Sequence, residues 1–185
     1  ALVPQRVWNN MTQYLLAAIP LFIFMASMLE KSGVIEEVFD VAYKWLGRIP
    51  GGLAVATVVA STVLAAMVGV IGAAVVTMAL VALPSMLRRG YSPVLAVGTV
   101  MAGGTLGILI PPSVLAIVYG LVANQSVGEL YLGSVFPGLV LSGLYILFSV
   151  GYALLNPKAA PRLSPEETPT WSERWRALRS IWSPL

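Results

Sequence analysis

Charged residues punctuate this chain into apolar stretches of unequal length. Val7–Leu29 carries no charge and matches one bilayer crossing, because a hydrocarbon core of about 30 Å takes roughly 20 helical residues. It predicts a span over 10–29. Polar positions return in Glu30–Arg48, where Val34, Ile35, Val38, Phe39, Ala42, Trp45 and Leu46 share one helical face and Glu36, Glu37, Asp40 and Lys44 another. That segregation predicts an arm helix over 33–46 that lies along the membrane interface and does not cross.

Ile49–Leu87 is charge-free again and is about twice the length one span needs. Its flanks, Arg48 on one side and Arg88 with Arg89 on the other, are both basic. Lys and Arg in short loops favour the cytoplasm, so both ends are expected on that side. This predicts a re-entrant helical hairpin over 51–87, with Gly69 and Gly72 of MVGVIGAAVV at its tip. Gly90–Gly128 is equally overlong, but its ends differ, with Arg88 and Arg89 before it and only Glu129 after it. A normal span is expected over 130–155, followed by a basic tail with Lys158, Arg162, Arg174, Arg176 and Arg179. A cytoplasmic tail puts residues 125–130 outside, so Gly90–Gly128 must cross once. At that length it does so as a broken helix over 92–124, with the irregularity at GGTLGILIPPS, Gly103–Ser113.

The membrane repeat is thus expected over 1–157 and a cytoplasmic tail over 158–185. In the tail Trp171, Trp175, Leu178 and Trp182 share a face and predict an amphipathic interfacial helix. The N-terminal ALVPQRVW has no Met and no basic-then-apolar signal pattern, so processing or trimming is expected at that end.

Composition sharpens the class. Hydrophobic residues make up 58% of the 185 and charged ones only 10%, far below the quarter typical of soluble domains, so the protein is read as all-α and integral to the membrane. The absence of Cys and His excludes disulfides, thiolate metal sites and His-ligated haem or zinc on this chain. No carboxylate lies within the expected membrane segments to serve as acid, base or nucleophile, so no enzyme and no organic cofactor is expected. The net charge of +3 sits at the edges of apolar runs, which marks membrane anchoring and not nucleic-acid binding.

Three glycines and two adjacent prolines inside a spanning segment call for a reason. An unpaired backbone N–H or C=O in lipid costs several kcal/mol, so an unwound stretch persists only where protein, water or a ligand pairs it. Pro111 and Pro112 lack N–H donors and free carbonyls upstream, while Gly103, Gly104 and Gly107 let the backbone approach a ligand closely. Freed carbonyls of Gly103, Gly104 and Gly107, with the hydroxyls of Thr105 and Ser113, are hard oxygen donors suited to Na⁺. The half-helix that starts at the prolines points its positive end to the same place and suits an anion such as a carboxylate. A single Gly or Pro would mark only a kink or a close helix contact; it is the cluster that points to a site.

With LAAIPLFIFMASMLEKSG (Leu16–Gly33), GRIPGGLAVATVVAS (Gly47–Ser61) and ALPSMLRRGYSPVLAVGT (Ala82–Thr99), the GGTLGILIPPS stretch resembles the large membrane subunit of the tripartite ATP-independent periplasmic (TRAP) transporters. The resemblance runs in order from about Ala1 to Pro157. It implies an elevator-type secondary transporter of the bacterial inner membrane that imports organic acids or related solutes with Na⁺. It implies as partners a periplasmic substrate-binding protein, a small membrane subunit and a second inverted repeat, each repeat with an arm helix, a re-entrant hairpin and a broken helix. Carried over by position, the tip Gly69–Thr77 (Gly69, Gly72, Thr77) and the stretch Gly103–Ser113 would hold half of the ion and substrate site.

Two departures stand out. The tip GVIGAAVVT has no hydroxyl before Thr77, where many members have a Gly-Ser-Ser type tip, so backbone carbonyls would have to coordinate there. By the resemblance, the residues of this chain correspond to the first repeat, and its opening helix is expected to lie outside them. Transport is the favoured reading, and a degenerate single repeat acting as a structural subunit of a larger membrane complex is the alternative. The sequence does not name the solute.

Overall fold

The structure, a computed structural model, describes residues 12–161 together with 3–5, 8 and 175. Among the described residues every regular element is a helix. We number them α1 (Tyr14–Lys31), α2 (Val34–Leu46), α3 (Gly52–Val68), α4 (Ile71–Arg88), α5 (Pro93–Leu109), α6 (Val114–Ala123) and α7 (Val127–Leu155). The amphipathic helix expected within the tail 158–185, on the face of Trp171, Trp175, Leu178 and Trp182, lies outside the described residues, apart from Trp175, whose ring meets that of Trp45 edge-on at 6.2 Å.

Helices α4 and α7 are each long and apolar enough to cross a membrane, and the bent pairs α1–α2 and α5–α6 qualify if each is counted as one span. Gly33, at φ 77, turns α1 into α2, and the two are bent by 62°. Arm helix α2 buries Ile35, Phe39 and Ala42 against a core that includes Leu53, Ala60, Met78 and Met86. Its acidic residues Glu36 and Asp40 stay exposed. The amphipathic spacing read from the chain is therefore the spacing the helix uses.

Helices α3 and α4 form the hairpin, with arms of 17 and 18 residues, roughly 25–27 Å each. Its base gathers at one end of the bundle. Gly51 packs so close to the end of α7 that a Cβ there would lie 2.8 Å from Ala153 Cβ. After α7 the chain doubles back, Ser92 N donating to Ala159 O at 2.8 Å, and Ala160 is buried in the same core. The phenol of Tyr91 accepts from Leu53 N at 3.3 Å; burial raises its pKa, partly offset by that bond and by the Arg89 charge. Arg89 also sits 4.5 Å over the Tyr43 ring.

Helix α5 lies against both hairpin arms, and small residues make this possible. Ala54, Ala56, Ala60 and Ala65 of α3 are fully buried, and Gly103 and Gly104 of α5 meet Ser61 and Val75 so closely that a Cβ on either glycine would collide. Close backbone approach of this kind drives helix association in lipid, where apolar burial between helices gains little. Some buried hydroxyls are satisfied within their own helices, as in Thr57 to Leu53 O at 2.8 Å and Thr99 to Leu95 O at 2.7 Å. Other hydroxyls cross between helices: Thr62 meets Ser142 at 2.7 Å and pins α7 to α3. Leu21, Phe24 and Met28 of α1 and Leu132, Phe136 and Leu139 of α7 are exposed, as suits surfaces solvated by lipid.

One expectation needs correction. The unwound stretch was expected to run from Gly103 to Ser113, yet α5 stays helical through Gly103, Gly104, Thr105 and Gly107 to Leu109. The break is confined to residues 110–113. Each proline removes only its own N–H, so Pro111 and Pro112 open the bonds to Gly107 and Ile108 and no others. Gly103 and Gly104 serve as packing glycines, which a helix tolerates when a neighbour fills the space beside them.

Candidate functional site

The break in α5–α6 and the tip of the α3–α4 hairpin come from segments about forty residues apart, and the fold brings them together. Gly69 ends α3 in the left-handed conformation, φ 65, with its N–H bonded to Ala65 O at 3.2 Å. Only glycine fits this position on two counts. A positive φ is strained for other residues, and a Cβ would run into the carbonyl oxygen of Pro112. The Gly69 carbonyl in turn accepts from Val114 N, the first amide of α6, at 3.3 Å.

On the other side of the junction, Pro111 and Pro112 are joined by a cis peptide bond. The last bond of α5 is Ile110 N to Leu106 O at 2.9 Å. The carbonyls of Gly107 and Ile108, which a continuous helix would pair with residues 111 and 112, meet prolines with no N–H. Gly107 lies just beneath the tip, its Cβ position 3.8 Å from Ile71 N. Ser113 is fully buried and caps α6, its hydroxyl accepting from Ala116 N at 3.4 Å. Its carbonyl accepts from Ile117 N at 3.3 Å and from the Tyr131 hydroxyl of α7 at 3.2 Å. Of the first-turn amides of α6, that of Leu115 has no protein acceptor among the described residues.

Electrostatically the junction is built from helix ends. The amino ends of α4 and α6 and the carboxyl ends of α3 and α5 meet within it, which places partial positive charge and unpaired carbonyl oxygen side by side. Among the described residues no cluster of acidic side chains could hold a metal ion, so a cation here would have to rely on backbone and hydroxyl oxygens.

Not every sequence candidate reaches this point. Gly69, Gly107, Pro111, Pro112 and Ser113 do. Gly103 and Gly104 lie one to two turns down α5, against the hairpin arms. Gly72 is exposed in the first turn of α4 with nothing within 4 Å of a Cβ. Thr77 is a further turn and a half along α4, where its hydroxyl donates to Glu30 Oε1 of α1 at 3.1 Å. Thr105 faces the other way, its hydroxyl bonded to Ala102 O at 2.7 Å and 3.3 Å from the Tyr145 hydroxyl of α7. It is not brought to the junction. Sequence reasoning passed over Val114, Leu115 and Tyr131; the first two act through backbone amides that any residue carries, and an aromatic near the end of a span reads as interfacial belt.

A groove of about 570 Å³ lies between α5 and α7, away from the junction, lined by residues that include Val94, Leu141, Leu144 and Phe148. Its hydroxyls on Thr99 and Ser149 are bonded within their own helices and that of Tyr145 meets Thr105, in a lining that is otherwise mostly apolar.

The family model of the tripartite ATP-independent periplasmic transporter, DctM component, matches residues 1–185. This chain belongs to the DctM family. It is 37% identical over 180 residues to the C4-dicarboxylate TRAP transporter large permease protein DctM of Vibrio cholerae, covering 97% of this chain and 39% of that protein. The corresponding Pseudomonas aeruginosa protein is 36% identical, with 97% of this chain and 41% of that protein covered. The ectoine TRAP transporter large permease protein TeaC of Halomonas elongata is 31% identical, with 92% and 39% covered. The chain therefore spans about two-fifths of the length of these curated relatives. DctM-family relatives are named as permeases, a non-enzymatic class of membrane transport protein, and the apolar helices of this chain are those of a multi-pass membrane protein.

Proposed function

We propose that this chain forms one inverted-repeat half of a Na⁺-coupled secondary transporter of the bacterial inner membrane. It imports organic acids or related small solutes handed over by a periplasmic binding protein, in company with a small membrane subunit and a second repeat. The basic ends Arg48, Arg88 and Lys158 face the cytoplasm, and the tail lies on that side. The observation that supports this most directly is the bond between Gly69 O and Val114 N, which couples hairpin tip to helix break and sets four helix ends around one point. The carbonyls of Gly107 and Ile108 are the donors suited to Na⁺, and the amino ends of α4 and α6 suit the acidic group of the solute. C4-dicarboxylate, ectoine and isethionate, the solutes named for relatives, all carry such a group. Movement of one repeat against the other would carry the site across the membrane.

The test is uptake by the assembled transporter in proteoliposomes. An imposed Na⁺ gradient should drive accumulation of an organic acid, supported by the binding protein, and replacement of Na⁺ by K⁺ should abolish it. Absence of Na⁺-dependent uptake by the wild-type assembly, together with copurification in fixed ratio with a larger complex, would favour a structural role.

A further inference from the structure

The phenol of Tyr131 has no role in the reading above. It sits in the second turn of α7, half-buried, and donates its hydroxyl proton to the carbonyl of Ser113 at 3.2 Å. Ser113 is the hinge of the break. Its hydroxyl holds Ala116 N, its carbonyl holds Ile117 N, and the next residue bonds to the hairpin tip. Those three ties are local to α6 or run to the hairpin; among the described residues the Tyr131 bond is the hydrogen bond that joins Ser113 to α7, beside the packing of Gly138 of α7 on Ile110.

We infer that Tyr131 is a positioning residue for the ion and solute site. By fixing the Ser113 carbonyl it aims the amino end of α6, with the unpaired Leu115 amide, at the place where the hairpin tip closes. This rests on the reading of the junction as the transport site. The rest of α7 supports the assignment. Ser126 caps α7 by accepting from Glu129 N at 3.4 Å, so the turn that carries Tyr131 starts from an ordered cap. Gly120 of α6 packs so near Val127 of α7 that a Cβ on it would lie 2.8 Å away. Helix α6 and the start of α7 thus form one corner, and a hydroxyl on α7 can hold a carbonyl eighteen residues upstream.

Tyr131→Phe removes the donor and keeps the ring. Losing one tether that orients a site, without touching the ligand, should raise the half-saturating Na⁺ or solute concentration about five- to tenfold while the maximal uptake rate stays within about twofold. Tyr145→Phe is the control, since that phenol is on the same helix but meets Thr105, away from the break; its half-saturation should match wild type. A second readout does not need uptake: a cysteine at exposed Leu115 should be labelled several times faster in the Tyr131→Phe background, and Na⁺ should slow labelling less than in the parent. A fall in maximal rate alone, or an equal shift in Tyr145→Phe, would mean that Tyr131 acts only in packing. Gly69→Ala separates the underlying reading from this one. If it leaves uptake unchanged, the junction is not the site; if it abolishes uptake while Tyr131→Phe leaves half-saturation and labelling at wild-type values, the site stands and Tyr131 does not position it.

Discussion

A single methyl group at Gly69 tests the junction most directly. Gly69→Ala forces an L side chain into φ 65, which costs roughly 1–2 kcal/mol. The new Cβ also meets the Pro112 carbonyl oxygen, a backbone atom held from behind by Ser113 and its Tyr131 bond. The tip must back away, and the 3.3 Å bond from Val114 N to Gly69 O is lost with it, about 0.5–1.5 kcal/mol net. Closure of tip on break is then disfavoured by roughly 1.5–3.5 kcal/mol, and at about 1.4 kcal/mol per decade the competent arrangement falls by roughly 10- to 300-fold. Na⁺-driven uptake in proteoliposomes should fall by that order at subsaturating Na⁺, with membrane insertion unaffected because the change makes the segment no more polar. Gly133→Ala, where a Cβ meets nothing within 4 Å, is the matched control and should behave as wild type. Wild-type half-saturation in Gly69→Ala would refute the argument, since neither the positive φ nor the contact could then matter to function.

The other expectations follow from the same geometry. Thr105→Val should shift half-saturating Na⁺ by less than about twofold, because its hydroxyl is engaged with Ala102 O and Tyr145 and not with the junction; a larger rise would return Thr105 to the ion site. Gly104→Leu should lower the apparent melting temperature in detergent by several degrees, as overpacking against Val75 costs about 1–3 kcal/mol; unchanged melting would mean that α4 and α5 separate freely. Single cysteines at the exposed residues Arg48, Arg88 and Lys158 should all be labelled from the cytoplasmic side of this Cys-free chain, and labelling of any one from outside would overturn the topology. Thr77→Val should loosen the contact of α1 with the hairpin by removing the donor to Glu30, seen as faster proteolysis between α1 and α3 with half-saturating Na⁺ unchanged.

The periodicity and charge of the chain were enough to read the helical class, the amphipathic arm and the order of hairpin, broken helix and final span. Each depends on a rule that acts over a few residues: apolar runs must match the bilayer, faces must segregate, and basic residues stay at the edges. The position of the break was only partly legible. Pro111 and Pro112 mark it because a missing N–H is a local fact, but Gly103 and Gly104 read equally well as unwound backbone or as packing surface. Ser61 and Val75, more than forty and nearly thirty residues upstream, decide that they are packing surface. The same holds for Thr77 and Thr105, hydroxyls that look available in the chain until the fold aims one at Glu30 and the other at Tyr145. The junction itself belongs wholly to tertiary structure. Gly69 must be glycine because of a carbonyl on Pro112, and the amide of Val114 finds its acceptor across two helices. Backbone groups look alike at every position in a sequence, so a site assembled from them appears only when the helices that leave them unpaired are packed together.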